Sequence, residues 1–85
     1  MGLVGIDWEV VELKGELSTE KFSALRYLDC NNNQLTSLDV TKNTALTSLY
    51  CRGNQLSSLD VTKNTKLLDD AIRCDANVII IRNNN

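Results

Sequence analysis

Residues 25–45 read LRYLDCNNNQLTSLDVTKNTA, and residues 46–66 read LTSLYCRGNQLSSLDVTKNTK. Set one above the other without a gap, the two blocks agree at fourteen of twenty-one positions. An internal repeat of that quality governs how the rest of the chain is read. The shared skeleton is L-x-x-L-x-C-x-x-N-x-L-x-x-L-x-V-x-x-N. The first block holds it with Leu25, Leu28, Cys30, Asn33, Leu35, Leu38, Val40 and Asn43, and the second with Leu46, Leu49, Cys51, Asn54, Leu56, Leu59, Val61 and Asn64.

Weaker copies flank these two. Leu3, Ile6, Trp8, Val11 and Leu13 fit the same frame, with Trp8 in the Cys slot and Val11 in the Asn slot. After Leu67 the frame is restored by a two-residue insertion, so that Ile72, Cys74, Asn77 and Ile79 mirror Leu49, Cys51, Asn54 and Leu56. The chain therefore reads as one domain over 1–85: a degenerate repeat at about 3–24, regular repeats at 25–45 and 46–66, a degenerate repeat or cap at about 67–82, and a tail at 83–85. Degenerate ends are expected, because a terminal repeat faces solvent on one side.

The L-x-C alternation has the period of a strand, placing Leu28 and Cys30 on one face and their neighbours on the other. Stacked units give a short parallel sheet whose Leu and Cys side chains share one core, which a single unit is too small to bury. An inward amide at Asn33 and Asn54 is expected to satisfy backbone groups of the turn and of the adjacent repeat. Asp39 with Lys42, and Asp60 with Lys63, mark either a local turn or an ion pair on the outer arc. Ser18 to about Ala24 is expected to form a short helical turn.

The pattern resembles the leucine-rich repeat family, L-x-x-L-x-L-x-x-N/C-x-L, with Cys in the third apolar slot. It is particularly similar to the 21-residue bacterial type found in repetitive surface and secreted proteins. The resemblance implies a β-rich solenoid, α/β in broad terms: a short right-handed curved array of about four repeats. A parallel sheet would line the concave face, with mostly irregular or 3-10 segments on the convex side. It also implies an extracellular or cell-surface setting, although the start of the chain, Met1 to Trp8, lacks the basic and apolar regions of a signal peptide.

Composition narrows the function. There are 13 Leu and 10 Asn but no His, so the usual general base and commonest metal ligand are missing. A net charge of −2 gives no electrostatic case for nucleic acid or an anionic membrane surface. No apolar run approaches the length of a membrane span. Cys30, Cys51 and Cys74 form no C-x-x-C motif, and read as small buried packing, with a disulfide or metal role as the alternative. No catalytic residue, cofactor site or metal-ligand cluster is expected.

The two regular repeats differ at seven places, five of them in the strand segment. Extending the frame lays out the outward strand positions: Gly5, Asp7 and Glu9; Tyr27, Asp29 and Asn31; Ser48, Tyr50 and Arg52; Ala71, Arg73 and Asp75. Divergence there marks either a binding face or drift at unconstrained surface. The charge runs from acidic (Asp7, Glu9, Asp29) to basic (Arg52, Arg73), with two tyrosines between, and Tyr and Arg are frequent energetic anchors of interfaces. The resemblance adds that the concave face is the usual ligand surface of such repeats. The expectation is a non-catalytic module that binds a protein or peptide through Asp7, Glu9, Tyr27, Asp29, Asn31, Ser48, Tyr50, Arg52, Arg73 and Asp75. The alternative is a structural or assembly unit of a larger bacterial surface protein, self-associating through the solenoid ends. Val78-Ile79-Ile80-Ile81 suits a strand buried on both faces, an end cap, or a homo-oligomer contact, and the Arg82–Asn85 tail is expected to fray.

Overall fold

The computed structural model describes residues 3–82; the tail at 83–85 lies outside them. Four coils stack side by side. One side of the stack carries a four-stranded parallel sheet made from β1 (Gly5–Asp7), β3 (Tyr27–Asp29), β5 (Ser48–Tyr50) and β7 (Ile72–Arg73), in that order. The returning side carries β2 (Lys14–Ser18) paired with β4 (Gln34–Asp39), and β6 (Ser58–Asp60) paired with β8 (Ile79–Ile81), both parallel. This is the solenoid that the repeat implies.

The return side is more regular than the resemblance implies, being built of short strands rather than irregular or 3-10 segments. The reason lies in the L-x-x-L-x-V stretch. Leu35, Leu38 and Val40 all face inward, and an extended backbone lets each coil hydrogen-bond the next, as when Gln55 N donates to Leu35 O at 2.8 Å. The single 3-10 turn among the described residues, Asp69–Ala71, absorbs the two-residue insertion. The insertion does set the register, since Leu49 pairs with Ile72 and Tyr50 with Arg73.

Three expectations are corrected. Ser18 to Ala24 is not helical: Phe22 N donates to Thr19 O and Leu25 N to Phe22 O, two successive turns repeated at Asn43/Leu46 and Asn64/Leu67. Asn77 and Ile79 do not mirror Asn54 and Leu56. The return of the last coil is two residues shorter, so Ile79 pairs with Ser58 and Ile80 takes the place of Leu59. Val78–Ile81 is therefore not buried on both faces; Val78 is buried and Ile80 packs on the core, whereas Ile79 is 67% and Ile81 44% exposed.

The core is a ladder of Leu25, Leu46 and Leu67, then Leu28 and Leu49, then Leu35 and Leu56, each almost wholly buried. Asparagines run along it. Asn33 Oδ1 accepts from Val11 N and Leu13 N, and its Nδ2 donates to Trp8 O, Cys30 O and Asn31 O. Asn54 does the same one coil later, accepting from Leu35 N and donating to Cys30 O, Cys51 O and Arg52 O. Asn43 and Asn64 form a second ladder at the other corner. The Asp39 and Asp60 repeats are turns: each carboxylate accepts from the N–H and hydroxyl of the Thr two residues on, which holds both carboxyls below their usual range.

Candidate binding face

Parallel register places the outward strand residues in rungs. One rung reads Asp7, Asp29, Tyr50, Arg73 across the four strands, and the rung before it Gly5, Tyr27, Ser48. The ladder continues past the strand ends through Val10 N to Asn31 O and Asn32 N to Arg52 O, which brings Glu9, Asn31, Arg52 and Asp75 into a third rung. Parallel pairing thus sets these positions side by side, except that Ala71, expected to point outward on the last strand, lies in the 3-10 turn and packs against the core. Acidic side chains stand on β1 and β3, with cationic ones toward β5 and β7.

Its side chains are not equally available. Tyr27 and Tyr50 meet edge to face, ring centres 5.5 Å apart at 87°, both half-buried. The Tyr27 hydroxyl donates to Asp29 Oδ2 at 3.3 Å. Burial, with the Asp29 charge behind it, raises the Tyr27 hydroxyl above its ordinary pKa. Asp29 lies only 7% exposed and also accepts from Asn31 N. Asp7 accepts from Glu9 N in the same way. Asn31 Oδ1 accepts from Arg52 N at 2.7 Å, and both Asp75 oxygens accept from Gly53 N. Asp29, Asn31 and Asp75 therefore fix the ends of the strands. Ser48 is half-buried, whereas Glu9, Arg52 and Arg73 are exposed. Among the described residues neither arginine has a carboxylate within ion-pair distance, and the ion pair there is Arg82 with Asp69.

Three carboxylates, those of Asp7, Glu9 and Asp29, come within 4.8 Å of one another. Register between strands creates this cluster, where the sequence reading expected none, because Asp29 is 22 residues from Asp7. It contains no nitrogen or sulfur donor, and two of its members are exposed, so it is described as the acidic margin of the face.

The cysteines point inward, as the strand alternation requires, and are free thiols. Burial pushes the Cys30 thiol up to about 12, and Cys51 and Cys74 are raised for the same reason. Away from the face, at the C-terminal end of the stack, a cavity of about 340 Å³ is lined by Asp69, Ile72, Cys74, Ile80 and Arg82. Sequence reading did not find it; the insertion at Asp69-Asp70 and the shortened last return are the signals that pointed there. Among the described residues no helix is long and apolar enough to cross a membrane.

A family model described as leucine rich repeats, two copies, matches residues 23–69. No curated protein and no solved structure matches the chain.

Proposed function

This chain belongs to the leucine-rich repeat family, and on that premise we propose that it is a non-catalytic module that binds a protein or peptide through the outward face of its four-stranded sheet. Repeats of this family generally mediate protein–protein interaction. The observation that supports the face is the rung Asp7, Asp29, Tyr50, Arg73, together with the Tyr27–Tyr50 pair beside it. The two regular repeats are identical where side chains build the core, and differ where they meet solvent on these strands. Aromatic surface flanked by exposed arginines supplies contact area and directional donors at little entropic cost. Asp29, Asn31 and Asp75 hold the strands in place, so the contact itself falls to Glu9, Tyr27, Tyr50, Arg52 and Arg73, with Asp7 and Ser48 at its edges. The proposed setting is the bacterial surface or beyond it, the one the 21-residue repeat type implies.

The experiment is comparative capture from the native surroundings by the wild-type chain and by the double variant Tyr50→Ala/Arg52→Glu. Loss of the ring contact costs about 1 kcal/mol, so the variant remains folded by circular dichroism. The expected result is a partner retained by the wild type and lost by the variant. Equal capture by both would remove this face from consideration.

A further inference from the structure

The two ends of the solenoid are finished differently. At the N-terminal end Trp8 and Phe22 replace the cysteine and the ladder asparagine of the inner coils, and their rings meet edge to face at 6.4 Å and 71°. The outer strand there, β2, carries exposed Lys14 and Glu16 and slips register between Gly15 and Glu16, with Gly15 at φ +72°. Charge and a bulge are the devices that spoil a sheet edge for further pairing.

The return side of the C-terminal end has no such device among the described residues. Its outer strand β8 is three isoleucines, two of them exposed, and between β7 and β8 the core opens into the 340 Å³ cavity. The backbone on both strands is turned the same way. Arg73 O accepts from Cys51 N, so Arg73 faces β5 and the next residue, Cys74, turns its N–H and C=O to the free edge. Ile79 N donates to Ser57 O and Ile81 O accepts from Val61 N, so Ile80 likewise presents its N–H and C=O outward.

We propose that this end docks a second copy of the chain about a two-fold axis, with β7 and β8 each pairing antiparallel with its own counterpart. Centred on Cys74 and on Ile80, both pairs exchange N–H···O=C bonds, which is what the free groups are oriented to do. The same axis sets Arg73 opposite Asp75 of the second copy, and Asp75 opposite its Arg73. Two charge pairs then form from an arginine that has no ion-pair partner among the described residues. On the return side Ile79 meets Ile81 of the second copy, covering the most exposed isoleucines. Cys74 and Ile80 both line the cavity, so the open ends of the two cores close on each other. The interface is isologous and the assembly stops at two.

Sedimentation or light scattering over a concentration series tests this with the 85-residue chain. The expected mass rises to twice the monomer and no further. Arg73→Glu and Asp75→Lys each set like charges opposite one another in both contacts, and each weakens the dimer tenfold or more. Mixing the two variants restores a dimer, because every contact in the mixed pair is again oppositely charged. Ile79→Lys, at an exposed side chain on the other strand, gives the same dissociation independently and keeps the test open should Asp75→Lys fail to fold. A monomer at all concentrations would overturn the proposal, as would a mass that climbs without limit, or folded variants that give no dimer on mixing.

Discussion

Thr19 Oγ1 donates to Asn43 Oδ1 at 2.6 Å inside the core, and both side chains are wholly buried. One coil later the asparagine is retained and the hydroxyl is not. Asn64 stands over Val40 as Asn43 stands over Thr19, donating to Val40 O and Asn43 O, but its Oδ1 has no partner among the described residues. Val and Thr have the same shape, so Val40→Thr adds the missing donor without changing the packing. The expected gain is about 1 kcal/mol, or roughly 4–8 °C in melting temperature for a chain of this size. Thr19→Val runs the other way, with a loss of about 1–3 kcal/mol from the orphaned amide oxygen. Thermal denaturation of both variants checks the pair, and equal melting temperatures would mean that Asn64 is already satisfied by other means.

The turn after each sheet strand demands a left-handed residue. Val10, Asn32 and Gly53 occupy it in successive coils, at φ 55°, 60° and 72°. Asparagine and glycine adopt that region readily, whereas a β-branched valine is strained there. Val10→Asn is expected to stabilise the fold by about 1 kcal/mol. Gly53→Ala is expected to cost about 1 kcal/mol or more, because its Cβ would also collide with the Asn32 side chain and lie 3.1 Å from Asn32 Cα. Urea midpoints at constant slope measure both.

Strand register was legible in the sequence because the core Leu and Cys repeat at fixed spacing, and a parallel sheet converts that spacing directly into rungs. The amides of Asn33 and Asn54 were legible for the same reason: a polar residue at an inward corner has few roles besides satisfying backbone. What the sequence hid depends on contacts between coils. Asp29, Asn31 and Asp75 alternate outward, which marks them as surface, yet they accept backbone hydrogen bonds at strand ends, two of them from the neighbouring coil. Nothing in the local pattern tells a carboxylate engaged in this way from a free one. Ile79 was misplaced because two residues gained at Asp69-Asp70 are lost again before β8, and a net shift of zero leaves no trace in the repeat length. The return strands were missed because L-x-x-L lacks the two-residue period of an ordinary strand.

The buried thiols make the fold sensitive to alkali. Cys30 sits at about 12 in the folded chain and Cys51 is raised further still, both chiefly by burial, whereas an unfolded cysteine ionises near 8.5. A group whose pKa is raised on folding contributes stability that is complete below the unfolded value. That stability is lost as pH climbs from about 8.5 toward 12. Urea midpoints are therefore expected to fall between pH 8 and pH 10. The double variant Cys30→Ala/Cys51→Ala is less stable at pH 7 because it leaves small cavities, but its stability changes less over the same interval. Parallel slopes would show that the thiols do not carry the alkaline loss. In the monomer, at concentrations below those that form the dimer, a thiol reagent should label Cys74, the least buried of the three, well before the other two.

Asn33 adds a side-chain joint between the first coil and the second, beside the β1–β3 and β2–β4 ladders and the Thr19–Asn43 bond. Its amide oxygen holds Val11 N and Leu13 N, and its amide nitrogen holds Trp8 O on that coil as well as Cys30 O on its own. Val11 stands in the ladder position of the first coil and offers no amide in return, so these bonds have no duplicate on the N-terminal side. Asn33→Ala orphans buried backbone on both sides of the joint, at an expected cost of about 2–4 kcal/mol. In a stacked array each coil contacts only its neighbours, so the loss should be local before it is global. Hydrogen exchange is expected to show Trp8, Val11, Leu13 and Gln34 losing protection, with Cys30 and Cys51 on the inner strands nearly unchanged. Asn54→Ala removes the corresponding joint one coil later and should instead split the stack through its centre, lowering protection on both halves. If the two variants gave the same uniform loss, the four coils would be unfolding as one cooperative unit, and the asparagine ladder would stabilise that unit without dividing it.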